Sequence, residues 1–371
     1  MPAKPFQNHI ICVGAVYIDT ILTVPHFPHE DSKLRANKIT RRRGGNTANT
    51  LEVLAQLIEH DPTPSTQALR TPNNPGTTLH LITVLPGPNS TATTFITSSL
   101  PHVQINDSSI FRPEHEDSAS SYIIQSLETL SRTIVSVNPL PEMTVDEFKY
   151  KINVLIGNKS TSSNTTSTSQ ATTPHPQQYL IHFEGRIPEI TLACIHHLRQ
   201  HHHHHQHASF KISVECEKPE RKGMSDVAAL ADVVFYSRLW AEGNGFSDAR
   251  VFLEDQRERT REGAILCCTW GAGGATIVQK RGVGRGVSVS GGDEWASVGA
   301  WGVEGHGDGR GKEVVDTIGA GDTFIAGMIF AINNHADWTL ERKLEFANEV
   351  AGRKVLQDGF KDLGRKMWDT S

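Results

Sequence analysis

Short apolar runs alternate with segments of helical spacing along the C-terminal two thirds of the chain, and this alternation limits the fold more than any other feature. The strand-like runs are Leu79 to Leu85, Tyr122 to Gln125, Thr133 to Val137, Tyr179 to Phe183, Lys211 to Val214, Val233 to Tyr236, Ala264 to Thr269 and Thr276 to Val278. Ile10-Ile11-Cys12-Val13-Gly14 is a further run of this kind and opens the series. Continuous apolar runs of this length suit strands buried on both faces, and helices between them give a mostly parallel sheet. The predicted fold class is therefore α/β: a doubly wound, mostly parallel sheet with helices on both faces. Strands without intervening helices, at about 20–43 and 112–138, are expected to form a small β lid, and the whole chain, 1–371, reads as one domain.

Four segments have compositions that bury too little apolar surface to offset the entropy of ordering, and they are expected to be mobile loops. Residues 61–78 are rich in Pro, Thr and Asn; 157–178 is a Ser/Thr/Asn tract; 201–207 is nearly pure histidine; 280–312 is dominated by glycine.

A net charge of −5 gives no global attraction to polyanions, which argues against nucleic-acid or membrane-surface partners. The one basic run, Arg41-Arg42-Arg43, reads as a solvated loop or strand edge. Five cysteines, an odd number without disulfide or zinc-site spacing, imply a reducing compartment. The polar start and the short apolar run after it suit neither a signal segment nor a span, so the expected location is the cytoplasm.

The most informative string is Asp316-Thr317-Ile318-Gly319-Ala320-Gly321-Asp322, followed by apolar residues at helical spacing. Glycines just before a helix leave backbone N–H groups open at the positive end of the helix dipole, where a phosphoryl group can sit. Asp322 follows in the first turn, so a carboxylate lies where it can take a proton from an attacking hydroxyl. The competing reading is a glycine turn in which Asp322 only caps the helix. Near the other end, Gly44-Gly45-Asn46-Thr47-Ala48-Asn49 opens a second helical pattern. A glycine pair lets a ligand approach the backbone, and the two amides, three residues apart, face one direction and suit vicinal hydroxyls. Asp19 and Asp31 add carboxylates of the kind that grip polyols. No Walker-type P-loop, protein-kinase loop set or His-Glu-x-x-His pattern is present in the sequence.

Both strings resemble the two signatures of ribokinase-like (PfkB) carbohydrate kinases. The openings Val13 to Asp19, Glu30-Asp31-Ser32 and Gly44-Gly45-Asn46 are similar to those of ketohexokinases, the hepatic-type fructokinases. So, in order, are Ile181 to Arg186, Ile212 to Pro219, Ala231 to Ser237, Gly263 to Gly271 and Val350 to Lys354. The resemblance implies phosphorylation of a sugar hydroxyl by ATP with Mg²⁺, with a ketohexose such as D-fructose as acceptor. It implies Asp322 as base, Gly319, Ala320 and Gly321 as anion hole, and Arg132 bridging sugar and phosphate. By the same resemblance Asp19, Asp31, Gly45, Asn46 and Asn49 hold the sugar, while Trp270, Gly271, Gly274 and Asn348 border ATP. Asp316 and Thr317 lie near the phosphates and a monovalent-cation site such as one for K⁺, and related lids pair into a β-clasp homodimer. The metal ligands stay unassigned. Two departures are visible: Ser237-Arg238-Leu239-Trp240 stands where many relatives carry Asn-x-x-Glu, and Ser126 to Thr129 replaces an Asn-rich lid stretch. Open alternatives are a kinase for ribose, a sugar acid or a nucleoside, and a catalytically silent sugar or nucleotide sensor.

Overall fold

The protein is described by a computed structural model covering residues 7–63, 76–129, 131–157, 177–201, 208–281, 292–302 and 314–369. Its strands are β1 (Gln7–Val13), β2 (Tyr17–Val24), β3 (Lys38–Gly44), β4 (Thr77–Ile82), β5 (Val84–Pro86), β6 (Val103–Gln104), β7 (Ile110–Arg112) and β8 (Ser120–Ser126). They continue with β9 (Arg132–Val137), β10 (Gln177–Phe183), β11 (Ala208–Cys216), β12 (Val233–Tyr236), β13 (Ile265–Thr269), β14 (Ala275–Gln279) and β15 (Glu294–Val298). The helices are α1 (Asn46–His60), α2 (Thr91–Ser98), α3 (Val145–Gly157), α4 (Pro188–His201) and α5 (Met224–Ala229). After them come α6 (Arg238–Gly243), α7 (Ala249–Arg259), α8 (Ala320–Asn334), α9 (Leu340–Val355) and α10 (Leu363–Trp368).

Nine strands form the main sheet in the order β15-β14-β13-β12-β11-β10-β1-β4-β6. All neighbours are parallel except β13–β14 and β14–β15. Alternation along β1 shows why both faces are covered. Ile10 and Cys12 enter one apolar layer with α1, α8 and α9, whereas Ile11 and Val13 enter the other with α3, α4 and α7. The chain runs from β1 outward to β4 and β6, then returns to the far side of β1 as β10. This reversal between β1 and β10 opens a crevice at the carboxyl ends of the strands, where ligands bind in such sheets.

A separate sheet of four strands, β3-β2-β8-β9, stands over that crevice. It starts at Tyr17 and resumes at Ser120; Arg112, expected in the lid, belongs instead to β7, which pairs with β5 in a two-stranded ribbon. The loop expectations also need correcting at their ends. Asp61 is buried against His335, Thr77 and Thr78 start β4, Gln177 and Gln178 start β10, and residues 294–298 are the edge strand β15. Composition missed β15 because it is short and lies between glycine-rich flanks. Residues 64–75, 158–176, 202–207, 282–291 and 303–312 of those segments lie outside the described residues.

α8 is buried on every side from Asp322 to Ile332, as expected of a helix that is apolar all round. Its approach to α9 depends on Gly327, where an added Cβ would sit 2.7 Å from the Ala347 Cα. Gly327→Leu is therefore expected to force the two helices apart and cost about 1–3 kcal/mol. A lowered denaturant midpoint with an unchanged slope checks this.

Candidate active site

The crevice is a cleft of about 660 Å³, within the usual range for small-molecule sites. Its floor comes from the ends of β10 to β13, one wall from the first turns of α1 and α8, and its roof from the small sheet. Of the residues expected at a site, Asp19, Gly45, Asn46, Asn49, Arg132, Thr317, Gly319, Gly321 and Asp322 line it together.

The two helix starts are held by glycines that nothing else can replace. Gly45 has φ 105°, and an added Cβ would run into the Ala15 carbonyl. At Gly44 an added Cβ would lie 2.6 Å from the Asp19 carboxylate. The missing side chains thus make room for protein atoms, seating Asp19 at the cleft that both glycines also line. Gly319, the cap of α8, has φ 76°, and its missing side chain leaves space for the Phe360 ring.

From the first helix start Asn49 reaches the second: its Nδ2 donates to Asp322 Oδ2 at 2.7 Å, and Thr50 Oγ1 donates to the Asp322 carbonyl at 3.2 Å. Arg43 donates to Asn49 Oδ1 at 2.7 Å and pairs with Glu52, so the amide of Asn49 can point only one way. Asp322 Oδ1 and the N–H groups of Gly321 and Asp322 have no hydrogen-bond partner among the described residues. A carboxylate oxygen and two amide donors are thus left facing the cleft at the positive end of a helix.

Other expected residues lie elsewhere. Asp31 is exposed on the loop between β2 and β3 and does not line the cleft. Trp270 packs into the apolar layer on the opposite face of the sheet from α9, with Arg238 over its ring. Gly274 is required by its φ of 84° and by the approach of the Val298 carbonyl. Asn348 donates to the Gly299 carbonyl at 2.8 Å, whereas Gly271 has open space about it. Asp316 lies behind the α8 start, its carboxylate taken by Lys354 at 2.8 Å. Ala320 contributes the first residue of α8.

Residues 7–363 match the profile of the pfkB family carbohydrate kinase. The chain belongs to that family. It is 25% identical to the ketohexokinase of Mus musculus over 356 residues, 95% of this chain and 98% of the mouse protein. Solved structures with the same fold include the ribokinase of Thermotoga maritima, with a TM-score of 0.64 and 16% identity over 96% of this chain and 98% of that one. A nucleoside kinase of Methanocaldococcus jannaschii matches with a TM-score of 0.60 and 14% identity over 98% and 99% of the two chains. The protein is thus an ATP-dependent sugar kinase of the PfkB and ribokinase-like group. No helix among its described residues is long and apolar enough to cross a membrane, and its five cysteines are buried and unpaired.

The floor of the kinase's cleft is acidic. Glu184 follows β10 and accepts from the Ala15 N–H at 2.9 Å, while Glu215 and Glu217 both face Asn46 Nδ2, at 3.3 and 3.5 Å. Burial pushes the Glu215 carboxyl well above its ordinary range, and the charges of Asp322, Glu217 and Glu184 push it further. Burial likewise raises Asp322, to about 7; Glu217 and Glu184 add to the rise, and the Asn49 hydrogen bond and Arg43 oppose it. Among the described residues no group of three His, Cys, Asp or Glu side chains converges on a metal position.

Arg43, Glu184, Glu215 and Glu217 were not singled out from sequence. Arg43 looked like part of a solvated basic run, yet it is buried at 7% exposure. The usable signal was its place directly before the glycine pair, where β3 must enter the core to reach α1. A ¹³C-carboxylate NMR titration should place the Asp322 midpoint near 7. Removing one negative neighbour in Glu217→Gln should move that midpoint to lower pH, whereas an unchanged midpoint would contradict the charge coupling.

Proposed function

We propose that this kinase transfers the γ-phosphoryl group of ATP to a hydroxyl of a neutral ketohexose, D-fructose foremost, with Asp322 as the general base. The observation that carries the reading is the pairing of the free Asp322 Oδ1 with the unpartnered N–H groups of Gly321 and Asp322 on one cleft wall. The Asn49 hydrogen bond occupies Oδ2, so the sugar hydroxyl meets Oδ1 and gives up its proton there. The anion hole that Gly319, Ala320 and Gly321 shape, with the free N–H groups of Gly321 and Asp322 as donors, takes the developing charge on the transferred group, and Arg132 answers it from β9 across the cleft. Mg²⁺ bound with ATP would supply charge neutralisation to the phosphates. Because Asp322 titrates near 7, its basic form, and with it kcat/KM, increases as pH rises through that value.

Asp19, Asn46 and Asn49 supply donors and acceptors for the sugar, beside Glu184, Glu215 and Glu217. Acidic side chains on the floor offer a sugar acid no cationic partner, whereas a neutral polyol can hydrogen-bond to them whether or not they are ionised. The similarity to a ketohexokinase supports the ketose among neutral sugars. The nucleotide is assigned to the end of β13, by Thr269 and Gly271, with its phosphates directed at Thr317 and Gly319. The decisive measurement is ADP release across fructose, tagatose, ribose, glucose, a 2-keto-3-deoxy sugar acid and adenosine, with NMR of the product. Fructose should lead in kcat/KM, and Asp322→Asn should lose roughly 10² to 10⁴ in turnover without unfolding. Adenosine or the sugar acid exceeding every ketose would overturn the acceptor assignment, and wild-type turnover in Asp322→Asn would overturn the base.

The small sheet is further proposed as a lid that pairs with its copy in a homodimer. Strand register puts Asp19, Ser121 and Ser136 on its cleft side and Ile39, Tyr122, Val135 and Val137 on the other. The latter are half or more exposed, an apolar face that is costly in water. Sedimentation velocity should show a dimer for the wild type and a monomer for Val135→Asp; a monomeric wild type would refute the pairing.

A further inference from the structure

Lys354 is a lysine with no exposed surface, an uncommon state that demands full pairing of its ammonium. It lies in the last turn of α9, where the helix dipole favours a cation. Its Nζ donates to Asp316 Oδ2 at 2.8 Å, to the Asp316 carbonyl at 3.0 Å and to the Gln357 carbonyl at 3.4 Å. Those three acceptors use all three of its donors. The Phe360 ring, which fills the space beside Gly319, lies 5.4 Å from the ammonium. Asp316 in turn accepts from the Ile318 N–H at 2.9 Å, and Val315 N–H donates to the Val355 carbonyl at 2.8 Å. The loop that leads into the anion hole is thus fastened to the end of α9 through one buried positive charge.

The monovalent-cation site that the family resemblance implies beside Asp316 does not fit these residues. Such an ion needs a shell of oxygen ligands in place of its water, and the Asp316 oxygens are already engaged, Oδ2 and the carbonyl by Lys354 Nζ and Oδ1 by the Ile318 N–H. We propose that Lys354 is the cation of this loop. A tethered ammonium takes the position and the charge of a dissolved ion, sets the Asp316 to Gly319 backbone for phosphate, and makes the enzyme independent of K⁺. Lys354 is a positioning residue, since Asp316 and the loop stand between it and the cleft. The inference rests on the assignment of the Gly319 to Gly321 amides as the anion hole.

The test compares wild-type protein in potassium chloride and in tetramethylammonium chloride at equal ionic strength, by sugar-stimulated ADP release and by thermal midpoint. Equal rates and equal midpoints are expected, because an ion that binds the folded state would raise the midpoint. A rate or a midpoint that rises with K⁺ over tetramethylammonium overturns the proposal. The midpoint arm decides this even if the acceptor or the catalytic role of Asp322 is wrong, so the two readings fail separately. Lys354→Met should lose roughly 10-fold or more in turnover, the scale of hydrogen bonds to a charged group. Ammonium or K⁺ should restore part of that loss, and Lys354→Arg should retain more activity than Lys354→Met. A folded Lys354→Met that neither ion rescues would reduce the residue to a structural strut and overturn the assignment; if the variant does not fold, the wild-type comparison decides alone.

Discussion

One buried hydrogen bond, from Asn49 on α1 to Asp322 on α8, joins the two helix starts that the rest of the site is built around. It spans 273 residues of sequence, so it exists only when the sheet has brought both helices to the same end of the molecule. Everything near it serves its geometry. Arg43 fixes which way the amide points, Gly45 lets β3 turn into α1, and Gly319 lets the incoming loop pass Phe360. The far ends of the same helices are joined as well, by the buried pair of Asp61 and His335 that follows α1 and α8. Two helices tied at both ends hold the Asp322 carboxylate more rigidly than a loop could.

Electrostatics divides the cleft. Its floor carries Glu184, Glu215 and Glu217, and burial keeps Glu215 and Asp322 from ionising as readily as free carboxyls. The neighbouring walls carry Arg132, Arg186, Lys218 and Arg221. A polyanion is therefore drawn to the walls and finds no cation on the floor, while an uncharged ligand can hydrogen-bond to the floor. That division suits a reaction in which a highly charged donor meets a neutral acceptor.

Much of this was legible in the sequence, for identifiable physical reasons. Continuous apolar runs such as Val233 to Tyr236 are short enough and pure enough to be strands of a covered sheet, and they are. The two glycine-containing strings announced their helix starts because special backbone is a local property. What was not legible depended on partners distant in the chain. Asn49 gave no hint that it would meet Asp322, Lys354 entered only as the end of a segment similar to ketohexokinases, and Gly274 had its reason in Val298. Asp31 and Trp270 mark the same limit from the other side. Their motifs did not show their surroundings: Asp31 lies on an exposed loop and Trp270 against the opposite layer.

The roof of the cleft has a consequence for how the molecule is made. β2 follows β1 directly, yet its parallel partner β8 begins about a hundred residues later, at Ser120. Pairings of that sequence separation incur a large loop-closure cost before they gain any contacts, and they form late. A chain emerging from the ribosome can lay down β1, α1 and β4 while it still lacks both the roof and the α8 start. Neither ligand has a place to bind on such an intermediate. Ligand binding can therefore stabilise only the finished molecule, and it leaves the early steps of folding to the apolar layers on the two faces of the sheet.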